Sequence, residues 1–212
     1  MKNVLSTKIL TESQKAILNT SVSLTAYDAI KVEPVTFSIK EPIKNAIFTS
    51  KNAVLPLQNF SSVIDTVFCV GDKTEASLRS YGFNVIEKAP NAQELAERIV
   101  TRYRDRAFTF FCGNLRRKEL PDVLRQNDIA LEEVIVYETF FNKQHFQDPY
   151  DALLFFSPSA IQSFTAFNVI DREEVYCIGP TTAEEAKKHT NNVRVAHRPT
   201  MESTLQLLKK NL

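Results

Sequence analysis

The sequence is poor in glycine: only 4 of its 212 residues are glycine, where a typical globular composition of about 7 % would give roughly fifteen. It contains no GxGxxG and no GxxxxGK[ST] segment, so the commonest glycine-rich phosphate loops are excluded. The same composition excludes collagen-like, disordered and low-complexity classes. Any anion site in this chain must therefore be built in another way.

Net charge, long apolar runs and clustered metal ligands are also scarce. The 26 Lys+Arg nearly balance the 25 Asp+Glu, which argues against a nucleic-acid binder that depends on phosphate contacts. No apolar run approaches the ~20 residues that span a bilayer, and the short, polar N-terminus is unlike a signal peptide. We therefore expect a cytoplasmic protein with no membrane and no nucleic-acid partner.

The cysteines and histidines are few and scattered. Three cysteines, an odd number, each lie in an apolar stretch: Cys69, Cys112 and Cys177. They are predicted to be buried, reduced thiols. The three histidines show no ligand spacing with one another or with cysteine, so no metal site is expected.

The chain resembles itself at an offset of 107 to 109 residues. Three pairs of segments match in the same order: Ala46–Val54 with Leu153–Ile161, Val67–Thr74 with Val175–Thr182, and Val85–Asn91 with Arg194–Thr200. Strand–helix units resemble one another in general, which is the alternative explanation for each single match. Three ordered matches at a nearly constant offset favour an internal duplication.

Each repeat reads as strand, turn and helix. The predicted strands are Asn45–Thr49, Thr66–Val70, Asn84–Glu87, Ala152–Phe156, Glu174–Ile178 and Val193–Ala196, and helices are predicted from Ser50, Lys73, Asn91, Pro158, Thr181 and Thr200. Two more units pair Val4–Thr7 with a helix over Glu12–Leu18, and Ala107–Cys112 with a helix over Arg116–Gln126. Extended stretches are predicted at Ser21–Tyr27, Ile30–Phe37 and Ala130–Phe141. This alternation predicts an α/β fold of two similar domains, each a parallel sheet flanked by helices.

Chain order predicts how the units combine. The repeat over 46–105 is followed directly by the unit at 107–131, whereas the repeat over 152–212 has only the N-terminal unit as a partner. We therefore expect one domain formed by residues 1–30 and 142–212 and a second domain, 38–133, inserted into it. Residues 31–37 and 134–141 would then be crossover strands, with a ligand cleft between the domains.

Small and hydroxyl-bearing residues follow the predicted strands at five turns. Ligands of open parallel sheets bind beyond the carboxyl ends of the strands, and helix N-termini favour anions. The candidates are Thr49, Ser50 and Asn52; Gly71, Lys73 and Thr74; Gly113 and Arg116; Ser157, Pro158, Ser159 and Ala160; and Gly179, Thr181 and Thr182. Ser and Thr are also ordinary helix caps, but five such turns favour a site for a ligand with several carboxylates or phosphates.

The residues show no catalytic constellation of a familiar kind. There is no G-x-S-x-G segment, and Asp72 is the only acid in these turns. Tyr137, on the second crossover strand, is the phenol expected to reach the cleft, where it could protonate a leaving group. The alternative is a half-buried strand tyrosine. Arg98, Arg102, Arg104 and Arg106 are expected on a solvated helix face.

At these residues the sequence resembles the uroporphyrinogen-III synthase family. The resemblance is carried, over essentially the whole chain, by Phe48–Val54, Val70–Thr74, Val136–Thr139, Phe156–Ala160 and Ile178–Ala183. It implies cyclisation of linear hydroxymethylbilane to uroporphyrinogen III, with inversion of the terminal pyrrole ring through a spiro intermediate and loss of water. It also implies two α/β domains joined by two strands, no metal or organic cofactor, and a monomer that receives its substrate from hydroxymethylbilane synthase.

The resemblance further implies residue roles. Amides and hydroxyls at the helix starts would bind the eight carboxylates of the substrate, and Tyr137 would assist departure of the hydroxyl. Where the family often has Thr-Arg-Pro, this chain has Thr7-Lys8-Ile9, so Lys8 keeps the charge without the guanidinium fork. A second glycine often precedes the arginine that matches Arg116, and here Asn114-Leu115 stand in its place.

Two other functions fit the same features. One is a non-catalytic two-domain binder of a polyanionic small molecule, although most such binders are exported and this chain shows no export signal. The other is a hinge-bending transferase acting on sugar or nucleotide substrates, whose phosphate loops would usually need more glycine.

Overall fold

A computed structural model describes residues 1–18, 22–40 and 42–211. Ser21, where one predicted extended stretch begins, and Leu212, where the predicted discontinuous domain ends, lie outside the described residues. Eleven strands are described: β1 Lys2–Ser6, β2 Val22–Ala26, β3 Ile30–Pro34, β4 Ile43–Phe48, β5 Ile64–Val70, β6 Val85–Ala89, β7 Phe108–Gly113, β8 Leu131–Phe141, β9 Ala152–Phe155, β10 Glu174–Cys177 and β11 Val193–Val195. The described α-helices are α1 Glu12–Lys15, α2 Asp72–Ser80, α3 Ala92–Arg102, α4 Glu119–Gln126, α5 Pro158–Thr165, α6 Pro180–Ala186 and α7 Met201–Asn211.

The chain divides into two compact units. Unit 1 contains Met1–Lys31 and Phe140–Leu212, and unit 2 contains Val32–Thr139. Unit 1 has a five-stranded sheet in the order β11-β10-β9-β1-β2, and unit 2 has a six-stranded sheet in the order β3-β8-β7-β4-β5-β6.

The two sheets have matching strand orders. Strands β9, β10 and β11 of unit 1 correspond to β4, β5 and β6 of unit 2, which is the order expected from the internal repeat. Strands β1 and β2 take the places that β7 and β8 take in unit 2, so the N-terminal strands complete the sheet of the C-terminal repeat. These neighbours are all parallel, which confirms the predicted parallel α/β architecture.

Each sheet has an apolar cluster on both of its faces. Consecutive strand residues face opposite sides, so neighbours in one strand belong to different clusters. In β4 of unit 2, Phe48 packs in one layer with Leu78 of α2, while Ile47 packs in the other layer with Ile99 of α3. In unit 1, Leu5 and Val4 are divided between two layers in the same way. Each fully buried large apolar side chain contributes roughly 2 kcal/mol to folding.

Several helix boundaries follow from caps that are visible in the sequence. The side chain of Ser157 accepts the backbone N–H of Ala160 at the start of α5, and Asn91 caps α3 by accepting the N–H of Glu94. Gly82, at φ +80°, ends α2 with N–H bonds from Gly82 to Arg79 O and from Phe83 to Leu78 O, the pattern of a Schellman motif.

Three predicted helices differ from those observed by more than one residue at an end or in type. After Ser50 the chain forms two short 3₁₀ turns, Lys51–Ala53 and Leu55–Leu57, because Pro56 cannot donate the hydrogen bond of a continuing α-helix. The helix predicted from Arg116 begins at Glu119, since Pro121 is tolerated only in a first turn. Helix α1 ends at Lys15, after which the bonds tighten to the i to i+3 pattern up to Leu18.

Candidate active site

Each sheet has a point at which the strand order reverses. In unit 2 the chain runs outward from β4 to β6 and then returns to β7 on the other side of β4. The loops after β4 and β7 therefore leave in different directions and form a crevice, the usual ligand site of an open parallel sheet. In unit 1 the corresponding neighbours are β9 and β1.

In unit 2, the reversal point brings together three of the predicted site residues. Ser50 follows β4, Gly113 ends β7, and Tyr137 lies on β8 directly opposite Gly113. A Cβ atom added to Gly113 would lie 2.4 Å from Cε2 and Cζ of Tyr137 and 2.9 Å from its hydroxyl oxygen. The absence of a side chain at Gly113 is therefore what makes room for the Tyr137 ring.

The environment of Tyr137 keeps its phenol protonated. Burial raises the pKa of Tyr137 above its usual value near 10, although the Ser50 hydroxyl within hydrogen-bonding reach acts in the opposite direction. The ring is only half-buried, so part of it remains accessible. At neutral pH the phenol is therefore protonated.

The loop after β4 supplies further polar groups. The Ser50 side chain caps the first 3₁₀ turn by accepting the backbone N–H of Asn52 at 3.2 Å. Thr49 and Ser50 are half-buried, and Asn52 is half-buried beside them. Hydroxyls and backbone amides thus surround the carboxyl end of β4, and these are groups that bind carboxylates.

The turn before α2 is less suited to anions than the sequence suggests. Gly71, at φ +82° and ψ 152°, adopts a conformation that favours glycine, and its N–H donates to Ala89 O at 2.9 Å. In the first turn of α2 the carboxylates of Asp72 and Glu75 each lie 2.8 Å from Nζ of Lys88. Lys73 is exposed at this edge, whereas Thr74 is buried.

Arg116 lies in the turn after β7, three residues before α4 begins. Its guanidinium is paired with Glu133, which also pairs with Arg125. Burial raises the pKa of the Glu133 carboxyl, but the two guanidinium groups outweigh it and hold that pKa below its ordinary value. The charge of Arg116 is therefore already balanced within unit 2, and its role as a substrate ligand stays a prediction.

Glu87, like Glu133, is a carboxylate paired with two arginines. Its carboxylate, only 10 % exposed, accepts from Arg98 at 2.9 Å and from Arg102 at 3.3 Å, and the Tyr103 hydroxyl donates to it at 3.2 Å. These arginines neutralise a mostly buried acid, a role that the expectation of a solvated helix face did not include.

In unit 1 the predicted residues lie after β1, β9 and β10. Ser157 accepts from Ala160 N–H at 3.1 Å, and its hydroxyl lies 3.1 Å from that of Ser159 at the start of α5, with Pro158 at the first helical position. Lys8 is exposed in the turn after β1, where its backbone bonds to the Ser6 hydroxyl.

The turn after β10 resembles that after β5 in sequence but not in backbone conformation. Gly179, at φ −172°, is extended, unlike Gly71, and a Cβ added there would lie an ordinary 3.8 Å from Cβ of Pro199. Helix α6 begins at Pro180, one residue before the predicted start, with Thr181 exposed and Thr182 buried. Gly71 and Gly179 therefore occupy corresponding positions in the two repeats but have different backbone conformations.

The structure adds two cavities that the sequence did not indicate. One, of about 360 Å³, lies in unit 1 beyond the carboxyl end of β11, where it is lined by His197, by the basic residues Arg198 and Lys210, and by Glu202. The rule that ligands bind beyond strand ends would have pointed there. The other, of about 750 Å³, lies at the amino ends of β4 and β7 in unit 2, the edge opposite Tyr137, beside Lys44 and Arg106.

Two features were not found in the part of the chain that the structure describes: a metal-binding cluster and a membrane-spanning helix. Those residues contain no group of three or more His, Cys, Asp or Glu side chains placed to hold a metal ion. Across the described ranges, every helix is too short or too polar to cross a bilayer.

The fold and the site define a two-unit α/β protein with a repeated parallel sheet and polar strand ends. Residues 22–206 match the family model for uroporphyrinogen-III synthase HemD. The chain therefore belongs to the uroporphyrinogen-III synthase family, lyases that cyclise hydroxymethylbilane in tetrapyrrole biosynthesis. This confirms the resemblance inferred from the sequence.

Solved structures agree with the fold. The uroporphyrinogen-III synthetase of Helicobacter pylori 26695 matches with a TM-score of 0.74 at 16 % identity, covering 100 % of both chains. A mutant uroporphyrinogen III synthase from the extremely thermophilic bacterium Thermus thermophilus matches with a TM-score of 0.71 at 12 % identity, covering 99 % of this chain and 98 % of that chain. A search of curated protein sequences gave no significant match.

Proposed function

We propose that this chain converts hydroxymethylbilane into uroporphyrinogen III with Tyr137 as the proton donor. The observation that carries the proposal is the placement of the Tyr137 ring over Gly113, beside Ser50, where burial raises the pKa of its phenol. Membership of the synthase family supplies the reaction.

The proposed first step is departure of the substrate hydroxyl. The electron pair of the pyrrole nitrogen pushes into the ring as the carbon–oxygen bond breaks, and the Tyr137 phenol gives its proton to the leaving oxygen, which departs as water. Closure through the spiro intermediate later releases a proton from carbon, and the phenolate takes it back. General acid catalysis of this kind contributes about 10²- to 10⁴-fold in rate.

The rest of the catalysis is proposed to come from holding the substrate. The bilane closes spontaneously to the unflipped I isomer, so product identity depends on orientation. We assign carboxylate binding to the strand-end turns of both units. The proposed substrate-binding positions are Lys8, Thr49, Ser50, Asn52, Gly71, Lys73, Thr74, Gly113, Arg116, Ser157, Pro158, Ser159, Ala160, Gly179, Thr181 and Thr182. Gly71 and Pro158 would shape their turns, because the Gly71 N–H already donates to Ala89 O and Pro158 has no N–H.

Because the substrate is unstable in water, the proposal includes direct hand-over from hydroxymethylbilane synthase. It also includes a monomeric enzyme in the cytoplasm. Mixing the two proteins and following isomer I as a side product tests the hand-over, since a separate diffusing pool would raise the share of that isomer.

The main experiment supplies hydroxymethylbilane, oxidises the products and separates the uroporphyrin isomers. The III isomer should form faster than the uncatalysed reaction forms the I isomer. If isomer I alone appears at the uncatalysed rate while the substrate still binds, the chain is a non-catalytic binder of polyanions.

The Tyr137→Phe variant tests the acid directly. We expect kcat to fall about 100-fold with little change in KM, because the ring remains while the proton is lost. Tyr103→Phe is the matched control, since it also removes a hydrogen-bonded phenol from unit 2 but lies against Glu87. Unchanged turnover in Tyr137→Phe would remove Tyr137 from the mechanism.

A further inference from the structure

The strand that carries Tyr137 is irregular directly before this residue. Strands β7 and β8 pair in step up to Cys112 opposite Ile135, and the next pair is Gly113 opposite Tyr137. Val136 is therefore an extra residue on β8. Bulges of this kind bend a strand and redirect a side chain, and they are frequent next to active sites.

The bulge lies near the end of β7, so the pairing beyond it depends on another contact. Asn114, the residue after β7, provides one. Its Oδ1 accepts the backbone N–H of Thr139 at 2.9 Å, and its Nδ2 donates to the Thr139 carbonyl at 3.3 Å. A side-chain amide carries the same donor and acceptor as a peptide group, so Asn114 extends the β7–β8 pairing by one unit.

One β7–β8 contact lies before Tyr137 along β8 and one lies after it. The Cys112–Ile135 pair lies on one side of it and the Asn114–Thr139 contact on the other, two residues along β8. The ring rests so closely on Gly113 that one added methyl group would lie 2.4 Å from it. A displacement of the β8 backbone at this point would therefore be transmitted to the ring.

We infer that Asn114 is a positioning residue for the reaction, which holds the bulged end of β8 so that the Tyr137 phenol stays over Gly113. The inference rests on the proposed function. Asn114 acts through Tyr137 and touches no reacting atom.

The test measures kcat and KM for isomer III formation in full-length variants. Asn114→Ala should lower kcat about 10- to 100-fold with KM within about twofold, since a displacement near 1 Å is enough for such a loss. Asn114→Asp keeps an acceptor for the Thr139 N–H and should recover part of the rate. Asn127→Ala is the control, because Asn127 also donates from its side chain to a backbone carbonyl, Val123 O, at 2.9 Å in unit 2.

A double-mutant cycle separates positioning from general loss of structure. In the Tyr137→Phe background, Asn114→Ala should lower kcat less than about twofold, because the proton donor that it positions is gone. If the two losses multiply, or if Asn114→Ala keeps the wild-type kcat, the inference is overturned while the proposed function stands.

A second readout does not depend on activity. Ultraviolet difference titration, with the Tyr137→Phe protein as the blank, follows the ionisation of Tyr137. Asn114→Ala should bring that pKa closer to the ordinary value of about 10 as the ring becomes better hydrated, whereas Asn127→Ala should not. An unchanged titration in Asn114→Ala would overturn the inference. A wild-type protein that forms only isomer I would overturn the proposed function, and the titration would still decide the role of Asn114.

Discussion

Replacing Gly113 with alanine adds a single methyl group under the Tyr137 ring. The new Cβ would lie 2.4 Å from Cε2 and Cζ of that ring. Ordinary contact begins near 3.4 Å, so the phenol, or the strand that carries it, must retreat by about 1 Å. The φ of Gly113 lies outside the left-handed region, so the effect is steric and the backbone itself tolerates alanine.

The result of Gly113→Ala depends on whether the Tyr137 ring moves away from the new methyl group. If the ring yields, the phenol leaves its position by Ser50 and kcat should fall about 100-fold, the usual effect of a 1 Å misplacement. If the ring is held, the strain remains and the protein should lose about 1–3 kcal/mol of stability, as in other overpacked sites. Isomer III formation measures the first, and denaturant unfolding measures the second.

Gly179→Ala is the matched control. Gly179 also ends a strand-to-helix turn, its backbone is extended, and its added Cβ would meet Cβ of Pro199 at 3.8 Å. This variant should keep its stability within about 0.5 kcal/mol. Wild-type turnover together with wild-type stability in Gly113→Ala would refute the reasoning about the Tyr137 contact.

Three further outcomes can be checked on the same protein. Glu133→Gln should lower the free energy of unfolding by about 1 kcal/mol, because two partly exposed guanidinium groups lose their counter-charge. The folded-state pKa of Glu133 is depressed, so its wild-type contribution is present above about pH 4.3 and is lost as the pH falls through the folded value. The free energy of unfolding of the variant should therefore fall less steeply over that pH range. Ser157→Ala should cost about 1 kcal/mol in thermal or denaturant unfolding through loss of the α5 cap, and no cost would contradict that cap assignment. Burial raises the pKa of Cys69 and Cys112 to about 11 and that of Cys177 to about 12, so a thiol reagent at pH 8 should label all three only after unfolding, and rapid labelling of the native protein would contradict their burial.

Local features of the sequence were sufficient for most of the fold. Apolar runs predicted the strands. The caps Ser157 and Asn91 and the helix-ending Gly82 are also visible in the sequence, because capping depends on residues within a few positions of one another. The repeat near 108 residues predicted which strands correspond, and the sheet orders match that correspondence.

Local features failed where a proline limited a helix. The strand–turn–helix pattern predicted α-helices from Ser50 and from Arg116, but Pro56 and Pro121 lack the N–H donor that a helix interior requires. Both prolines are visible in the sequence and mark where those helices cannot form.

The sequence by itself determined the order of strands and helices, the duplication and the polar residues that follow the strands. The tertiary structure decided which of those residues meet. Tyr137 lies on Gly113 because a bulge shifts β8 by one residue, and Arg116 is paired because Glu133 comes from a neighbouring strand. Such contacts join residues 17 to 24 positions apart, and their distances depend on strand register, which no local pattern in the chain encodes.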